Sequence, residues 1–270
     1  MSSIVTDQGI VHYEAYGRGQ PVILLHGWLG SWDYWLNTME ALGKGYRCYA
    51  LDFWGFGESG KTRRSYQVVD FVDLVDQFMD RLGIESAPIV GHSMGGTVAI
   101  LMALTKPKRT KRVIVVGSPI NGRSLNIFLR LAGEPWIARL VWRMPTLLQY
   151  GIRAFSPLVV NDWPVWYKMI TRDLSRTTLE AFFTSIGSLH HTDLRPQLPG
   201  ITTPVMGIYG VGDNVVAPTQ ANVISNNAPV SRIKMMTGSR HFPMLDEPQT
   251  FNEQLADFLS FKFESSNGAS

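Results

Sequence analysis

Residues 91–95 read Gly91-His92-Ser93-Met94-Gly95, between the apolar run Ala87-Pro88-Ile89-Val90 and the stretch Gly96-Thr97-Val98-Ala99-Ile100-Leu101-Met102-Ala103-Leu104. The first run is short and bounded, as a buried strand is; the second is long and rich in Ala, Leu and Met, as a buried helix is. A serine between glycines where a strand turns into a helix sits on a sharp, strained turn. Gly91, Gly95 and Gly96 permit the close backbone approach that such a turn requires. The Ser93 hydroxyl then stands clear at a helix N-terminus, where main-chain N–H groups and the dipole favour developing negative charge. A short pattern of this kind also arises by chance in Gly/Ser-rich loops, so the rest of the chain decides its meaning.

Upstream, Gly9 to Tyr16 has strand character and Pro21-Val22-Ile23-Leu24-Leu25 is a continuous apolar run, as in a strand covered on both faces. A helix is expected from Ser31 to about Leu42, then a strand from Arg47 to Leu51 leading into the glycine-punctuated loop Asp52-Phe53-Trp54-Gly55-Phe56-Gly57-Glu58-Ser59-Gly60. Between Tyr66 and Leu82 the residues Val69, Val72, Val75, Phe78, Met79 and Leu82 form an apolar helical face, and Asp70, Asp73, Asp76 and Asp80 a solvated one. Downstream, Val113-Ile114-Val115-Val116 is a strand ending at Gly117-Ser118-Pro119. Strands alternating with helices imply a parallel sheet.

The rhythm stops at residue 121. Residues 121–195 hold no run resembling a central strand, but are rich in aromatics and show helical spacing, as in Trp136, Leu140 and Met144. They carry nine basic and five acidic residues, so all of the chain's net +3 resides there and the remainder is slightly acidic. The strand–helix alternation resumes with Thr203 to Gly210 and Arg232 to Met236, and a last helix carries Phe251, Leu255, Phe258 and Leu259. The predicted fold is α/β: a mostly parallel central sheet with helices on both faces and a helical cap inserted after the strand at Val113–Val116. The expected division is 1–120 for the first part of the core, 121–195 for the cap or lid, and 196–270 for the second part. The small polar tail from Ser265 is expected to fray.

Composition narrows the function. With 270 residues, 45% hydrophobic and 17% charged, a large core is expected and disorder is not. A net charge of +3 without a basic–aromatic motif excludes nucleic acid as the expected partner. The single cysteine, Cys48, allows neither an internal disulfide nor a cysteine zinc cluster. No signal-peptide pattern and no apolar stretch near the ~18 residues of a membrane span are seen, so a cytoplasmic location is expected.

Acyl transfer needs a hydroxyl nucleophile, a base, a carboxylate to orient the base, and donors for the oxyanion. Ser93 follows one strand, Asp213 a later one in Gly210-Val211-Gly212-Asp213, and His241 the last in Gly238-Ser239-Arg240-His241-Phe242. Ligands bind at such carboxyl ends of open parallel sheets. With His26-Gly27-Trp28 and Asp52…Gly55-Phe56-Gly57-Glu58-Ser59, these five motifs in this order make the chain resemble the α/β-hydrolase family over nearly its whole length.

The resemblance implies Ser93 as nucleophile, His241 as general base and then acid, Asp213 as the residue that orients it, and the backbone N–H groups of Trp28 and Met94 as the oxyanion hole. It implies loop-bracing roles for His26 and His92 and a loop-shaping role for Asp52. His12, in an edge-like strand, is expected to be inert. His190 and His191 would point about 100° apart on a helix, so no metal site is expected there, and no cofactor is implied. Trp28, His92, Phe128, Trp142, Trp163, Phe182 and Phe242 are the candidates for the substrate pocket.

Serine in place of aspartate separates the chain from the haloalkane dehalogenases and epoxide hydrolases, whose alkyl-ester intermediate is attacked by water at a carboxyl carbon. The expected partner is a small-molecule or lipid ester, thioester or lactone of largely apolar character. Hydrolysis of a carbon–carbon bond in a vinylogous diketone, perhydrolysis, and a receptor that binds without turnover are the alternatives. Arg139 and Arg143, one turn apart and taken as opposite Trp136 and Leu140, also permit peripheral contact of the cap with an anionic membrane; arginines scattered on a soluble surface explain the charge equally.

Overall fold

The fold is built on eight short runs with strand character: β1 (Ser2–Thr6), β2 (Gly9–Gly17), β3 (Gln20–Leu25), β4 (Tyr46–Leu51), β5 (Ala87–His92), β6 (Thr110–Val116), β7 (Val205–Gly210) and β8 (Ser231–Met236). In this computed structural model, which describes residues 2–62 and 65–261, they form one sheet in the order β1-β2-β4-β3-β5-β6-β7-β8. The tail from Ser265 lies outside the described residues. β1–β2 and β2–β4 pair antiparallel, and every other pair is parallel. β5 and β7 are buried along their whole length, which is why they are continuous apolar runs. The edge strand β1 instead alternates inward and outward residues, too weakly to stand out in the sequence.

The helices are α1 (Leu36–Leu42), α2 (Val68–Arg81), α3 (Met94–Thr105), α4 (Ile127–Ala132), α5 (Pro135–Trp142), α6 (Pro145–Val159), α7 (Trp163–Ser175), α8 (Leu179–His191), α9 (Gln220–Asn227), α10 (Pro243–Asp246) and α11 (Pro248–Ser260). α2 packs on α3 and α1 on α11, with helices on both faces of the sheet. α3 has no wet side: Met94 through Ala103 are all buried. The expected helix from Ser31 opens as a 3-10 turn, Trp32–Trp35, before α1.

Two details of α2 depart from its periodicity. Val69 is 56% exposed, and Val68, Phe71 and Leu74 join the buried face in its place. Asp76 and Asp80 are not merely solvated, since Arg109 reaches both and Lys106 pairs with Asp76. His12 is also not at an edge. It is buried in β2, which β1 covers.

Between β6 and β7 the described residues form helices α4–α8 and no strand. A bridge between Asn121 and Asp193 closes the base of this segment. Helix α5 sorts its residues differently from the expectation. At 100° per residue, Arg143 lies about 20° and Arg139 about 60° from Trp136, on the side away from Leu140, so the arginines adjoin the Trp136–Leu140 face instead of opposing it.

Candidate active site

The turn after β5 is strained in the way its glycines suggest. Ser93 has φ 51° and ψ −117°, in a region that L-residues avoid. The strain is held because the flanking glycines pack against backbone: a Cβ on Gly91 would collide with the Gly95 carbonyl, and one on Gly95 with the carbonyls of Leu25 and His26. The Ser93 N–H donates to the Val116 carbonyl of the neighbouring strand (2.8 Å), which pins the turn to the sheet. Ser93 caps α3, and among the described residues its hydroxyl makes no hydrogen bond.

The loops after β7 and β8 bring Asp213 and His241 to the same end of the sheet. His241 Nδ1 lies 2.8 Å from Asp213 Oδ2. The other carboxylate oxygen, Oδ1, accepts from the N–H groups of Val215 (2.8 Å) and Val216 (2.9 Å), so the acid is fixed in rotation. The His241 N–H donates to the Val159 carbonyl at the end of α6 (2.9 Å), tying the inserted helices to this histidine. Ser118, after β6, donates its hydroxyl to the Val116 carbonyl (3.1 Å) and leaves Asp213 as the carboxylate beside His241.

His92 is buried against His241, with ring centroids 4.7 Å apart, and its Nε2–H donates to the His241 carbonyl oxygen (2.9 Å). Burial, and next the nearby His241, hold His92 well below the usual histidine range, so it stays neutral. His26 is buried and its pKa is likewise lowered by burial. It donates from Nδ1 to the Gly27 carbonyl (2.7 Å) and accepts at Nε2 from the Phe53 N–H (2.9 Å). That fixes its tautomer and braces the loop after β3. In the same loop Leu29 has φ 56°, the second positive φ outside glycine among the described residues. The N–H groups of Trp28 and Met94 donate to no protein acceptor among the described residues.

Asp52 shapes the next loop: its carboxylate accepts from the N–H groups of Trp32 (2.8 Å) and Glu58 (2.9 Å) and meets His12 Nδ1 (3.0 Å). The hydrogen bond and charge of Asp52, with Glu14 adding to them, raise the His12 pKa against the opposing effect of its burial. His12 is therefore a structural partner of Asp52 and not an inert residue. His190 and His191 turn Nδ1 toward the carbonyls of Gly122 and Gly187, and Asp193 is held by Arg195. No cluster of three metal-ligating side chains occurs among the described residues.

Ser93 and His241 line one cavity of about 660 Å³, roofed by the inserted helices. Of the pocket candidates, Trp28, His92, Phe128, Phe182 and Phe242 line it. Trp142 and Trp163 do not. Trp142 packs edge-on against Phe182 (5.5 Å between centroids), and Trp163 lies under the Arg153 guanidinium (5.4 Å). Trp28 reaches from the loop after β3 to α8: its ring stands 4.7 Å from that of Phe182, and its Nε1–H donates to the Phe182 carbonyl (2.9 Å).

Aliphatic residues absent from the sequence-based candidates make up much of the wall, among them Ile137 and Val141 of α5, Leu148 and Ile152 of α6, and Ile170 of α7. Trp166 joins them, whereas the neighbouring Trp163 was the sequence candidate. Among the described residues, no lysine, arginine, aspartate or glutamate lines the cavity.

This arrangement has relatives. An uncharacterised protein of Mycobacterium tuberculosis is 27% identical over 90% of this chain and 76% of its own length. A pimeloyl-[acyl-carrier protein] methyl ester esterase of Photobacterium profundum is 27% identical over 92% of this chain and 97% of its own. Among solved structures, the enol-lactonase of Burkholderia xenovorans LB400 superposes with a TM-score of 0.83 at 20% identity, over 96% of this chain and all of that one. The profile of the alpha/beta hydrolase fold matches residues 20–248. The chain belongs to the α/β-hydrolase family.

Proposed function

We propose that this hydrolase cleaves an ester of a largely apolar small-molecule or lipid substrate through an acyl-enzyme formed on Ser93, with thioesters and lactones accessible to the same chemistry. The observation that carries the reading is the 2.8 Å contact of His241 Nδ1 with a rotationally fixed Asp213, at the rim of the cavity that Ser93 also lines. With Nδ1–H directed at the carboxylate, Nε2 is the ring nitrogen left to accept the Ser93 proton.

Ser93 Oγ attacks the carbonyl carbon as its proton passes to His241. The charge that develops on the carbonyl oxygen is met by the N–H groups of Trp28 and Met94, the second at the positive end of α3. His241 then returns the proton to the departing alcohol. A water, deprotonated by the same imidazole, attacks the acyl carbon, and the imidazolium returns that proton to Ser93 Oγ as the acyl–Oγ bond breaks and the acid leaves. The neighbours' names support the ester reading, in an enol-lactonase and in methyl ester esterases.

The cavity wall supports the apolar part. A substrate carrying a free carboxylate would bury that charge with no lysine or arginine among the described lining residues, which disfavours acidic diketones. The deciding measurement is steady-state turnover of p-nitrophenyl esters beside labelling by a fluorophosphonate. Wild-type protein should turn over many times and take up one label on Ser93; Ser93→Ala should take up none and lose about 10⁴- to 10⁶-fold in kcat. Ordinary turnover by Ser93→Ala refutes the reading. Rapid cleavage of a dienoic diketone with poor ester turnover would move it to carbon–carbon hydrolysis.

A further inference from the structure

Helices α4–α6 wall the cavity from inside and face water with apolar groups outside. On α5, Ile137, Ala138 and Val141 line the cavity, while Trp136 and Leu140 on the opposite side are 66% and 55% exposed. A soluble protein's surface helix normally turns charge outward, and contiguous exposed apolar surface of this kind marks a contact. Phe128 of α4 is 68% exposed, and it and Leu147 of α6 both line the cavity while facing solvent. The cavity therefore opens among these exposed apolar side chains.

Charge selects the occupant. Arg139 and Arg143 are exposed on the outer side of α5, on the flank of Trp136 away from Leu140, and neither forms an ion pair among the described residues. Arg153 of α6 is exposed as well, and Glu134 is the sole acidic residue between 127 and 159. A second copy docking by this face would set arginines against arginines. An apolar strip flanked by cationic groups fits lipid, with tryptophan and leucine at the acyl boundary and guanidinium groups among the headgroups. No described helix is long and apolar enough to cross a membrane, so the contact would be peripheral.

We infer that the outer face of α5, with the adjoining exposed residues of α4 and α6, docks on an anionic lipid surface and sets the cavity mouth against it. Only the identity of what enters the mouth, a lipid ester taken directly from the bilayer, rests on the hydrolytic reading. The docking itself does not.

The test is sedimentation of the full chain with 100 nm vesicles of phosphatidylcholine alone or with about 30% phosphatidylglycerol. Ser93→Ala protein is run in parallel, so that docking is measured whether or not the protein hydrolyses lipid. Both forms should sediment with anionic vesicles at low salt, and much less as the salt is raised to about 0.5 M. Arg139→Gln/Arg143→Gln should lower partitioning about tenfold or more. Trp136→Ser/Leu140→Ser should abolish sedimentation while leaving the circular dichroism and p-nitrophenyl ester turnover unchanged. Absence of binding to anionic vesicles at low salt overturns the inference. So does a stable dimer in free solution that Trp136→Ser/Leu140→Ser dissociates, or a variant that sediments like wild type.

Discussion

The hydroxyl of Ser31 lies 2.9 Å from Asp173 Oδ2 and 2.7 Å from Asp33 Oδ1, joining the loop after β3 to α7 across 142 residues of sequence. One hydroxyl proton cannot be donated to both carboxylates. The arrangement is satisfied if Asp173 is protonated and donates to Ser31 Oγ, while Ser31 donates to Asp33. Burial, together with the nearby Asp33, pushes the Asp173 carboxyl up to about 6, against the pull of Arg172.

The sign follows from that shift. In the unfolded chain the carboxyl titrates near 4. A raised pKa stabilises the fold fully below that value, and the contribution is lost as pH rises through about 6. Wild-type unfolding free energy should therefore carry a decline over pH 4–6, of at most about 3 kcal/mol, that Asp173→Asn lacks. Urea titrations of both proteins at several pH values check this. A difference between them that stays constant over the window rules the shared proton out.

Histidines extend the profile in both directions. His12, raised by Asp52, stabilises the fold below its unfolded value near 6.5 and loses that contribution as pH climbs through its higher folded pKa. His26 and His92, lowered by burial, act in the opposite sense: their contribution is present above about 6.5 and is lost as pH falls through their folded values. Stability should then pass through a maximum instead of rising steadily with pH. His12→Gln should flatten the alkaline side and leave the acid side in place. Melting temperatures between pH 4.5 and 9 report both limbs, and an unchanged alkaline limb in His12→Gln would contradict the assignment to His12.

The elbow was legible because its constraint is local: glycines must flank a strained serine wherever that turn occurs, so five residues display it. Asp213 and His241 were legible for a related reason, each standing in a loop at the end of a strand whose apolar run is easy to see. The cavity wall was not. α5 is apolar on two sides, and periodicity alone does not say that Ile137 faces inward and Trp136 outward; that depends on which neighbours arrive from α4, α6 and α8. Trp142 and Trp163 belong to the aromatic-rich segment from which pocket candidates are read, yet a cavity needs walls that leave space, and aliphatic side chains form much of this one. β1 escaped notice because it has only five residues at a sheet edge.

His92 gives the position of His241 a physical cause. Its Nε2–H holds the His241 carbonyl at 2.9 Å, and its ring lies tilted against that of Phe242, with centroids 4.3 Å apart. His92→Ala removes the donor and leaves a buried carbonyl unpaired, at a cost of about 1–3 kcal/mol in stability. Under the proposed mechanism the looser His241 should lower kcat about 10- to 100-fold with KM changed little. His92→Gln, whose amide nitrogen can reach the same carbonyl, should recover part of kcat. If Ala and Gln were equally impaired, space filling and not the hydrogen bond would be the role of this side chain.

Gly151 lies inside α6, lines the cavity, and a Cβ built there meets nothing within 4 Å. Its φ is not in the positive range that would require glycine. A helix-interior glycine costs about 0.5–1 kcal/mol relative to alanine, through the freedom it has in the unfolded chain. Gly151→Ala should therefore raise stability by about that amount and leave short-chain ester turnover unchanged. Gly151→Phe adds a ring to the cavity lining near the mouth, and kcat/KM should fall with acyl length, little for acetate and about tenfold or more for decanoate. A p-nitrophenyl ester series from C2 to C12 separates the two effects. An equal loss at every length would mean that the ring disturbs α6, and through Val159 the His241 loop, instead of occluding the chain.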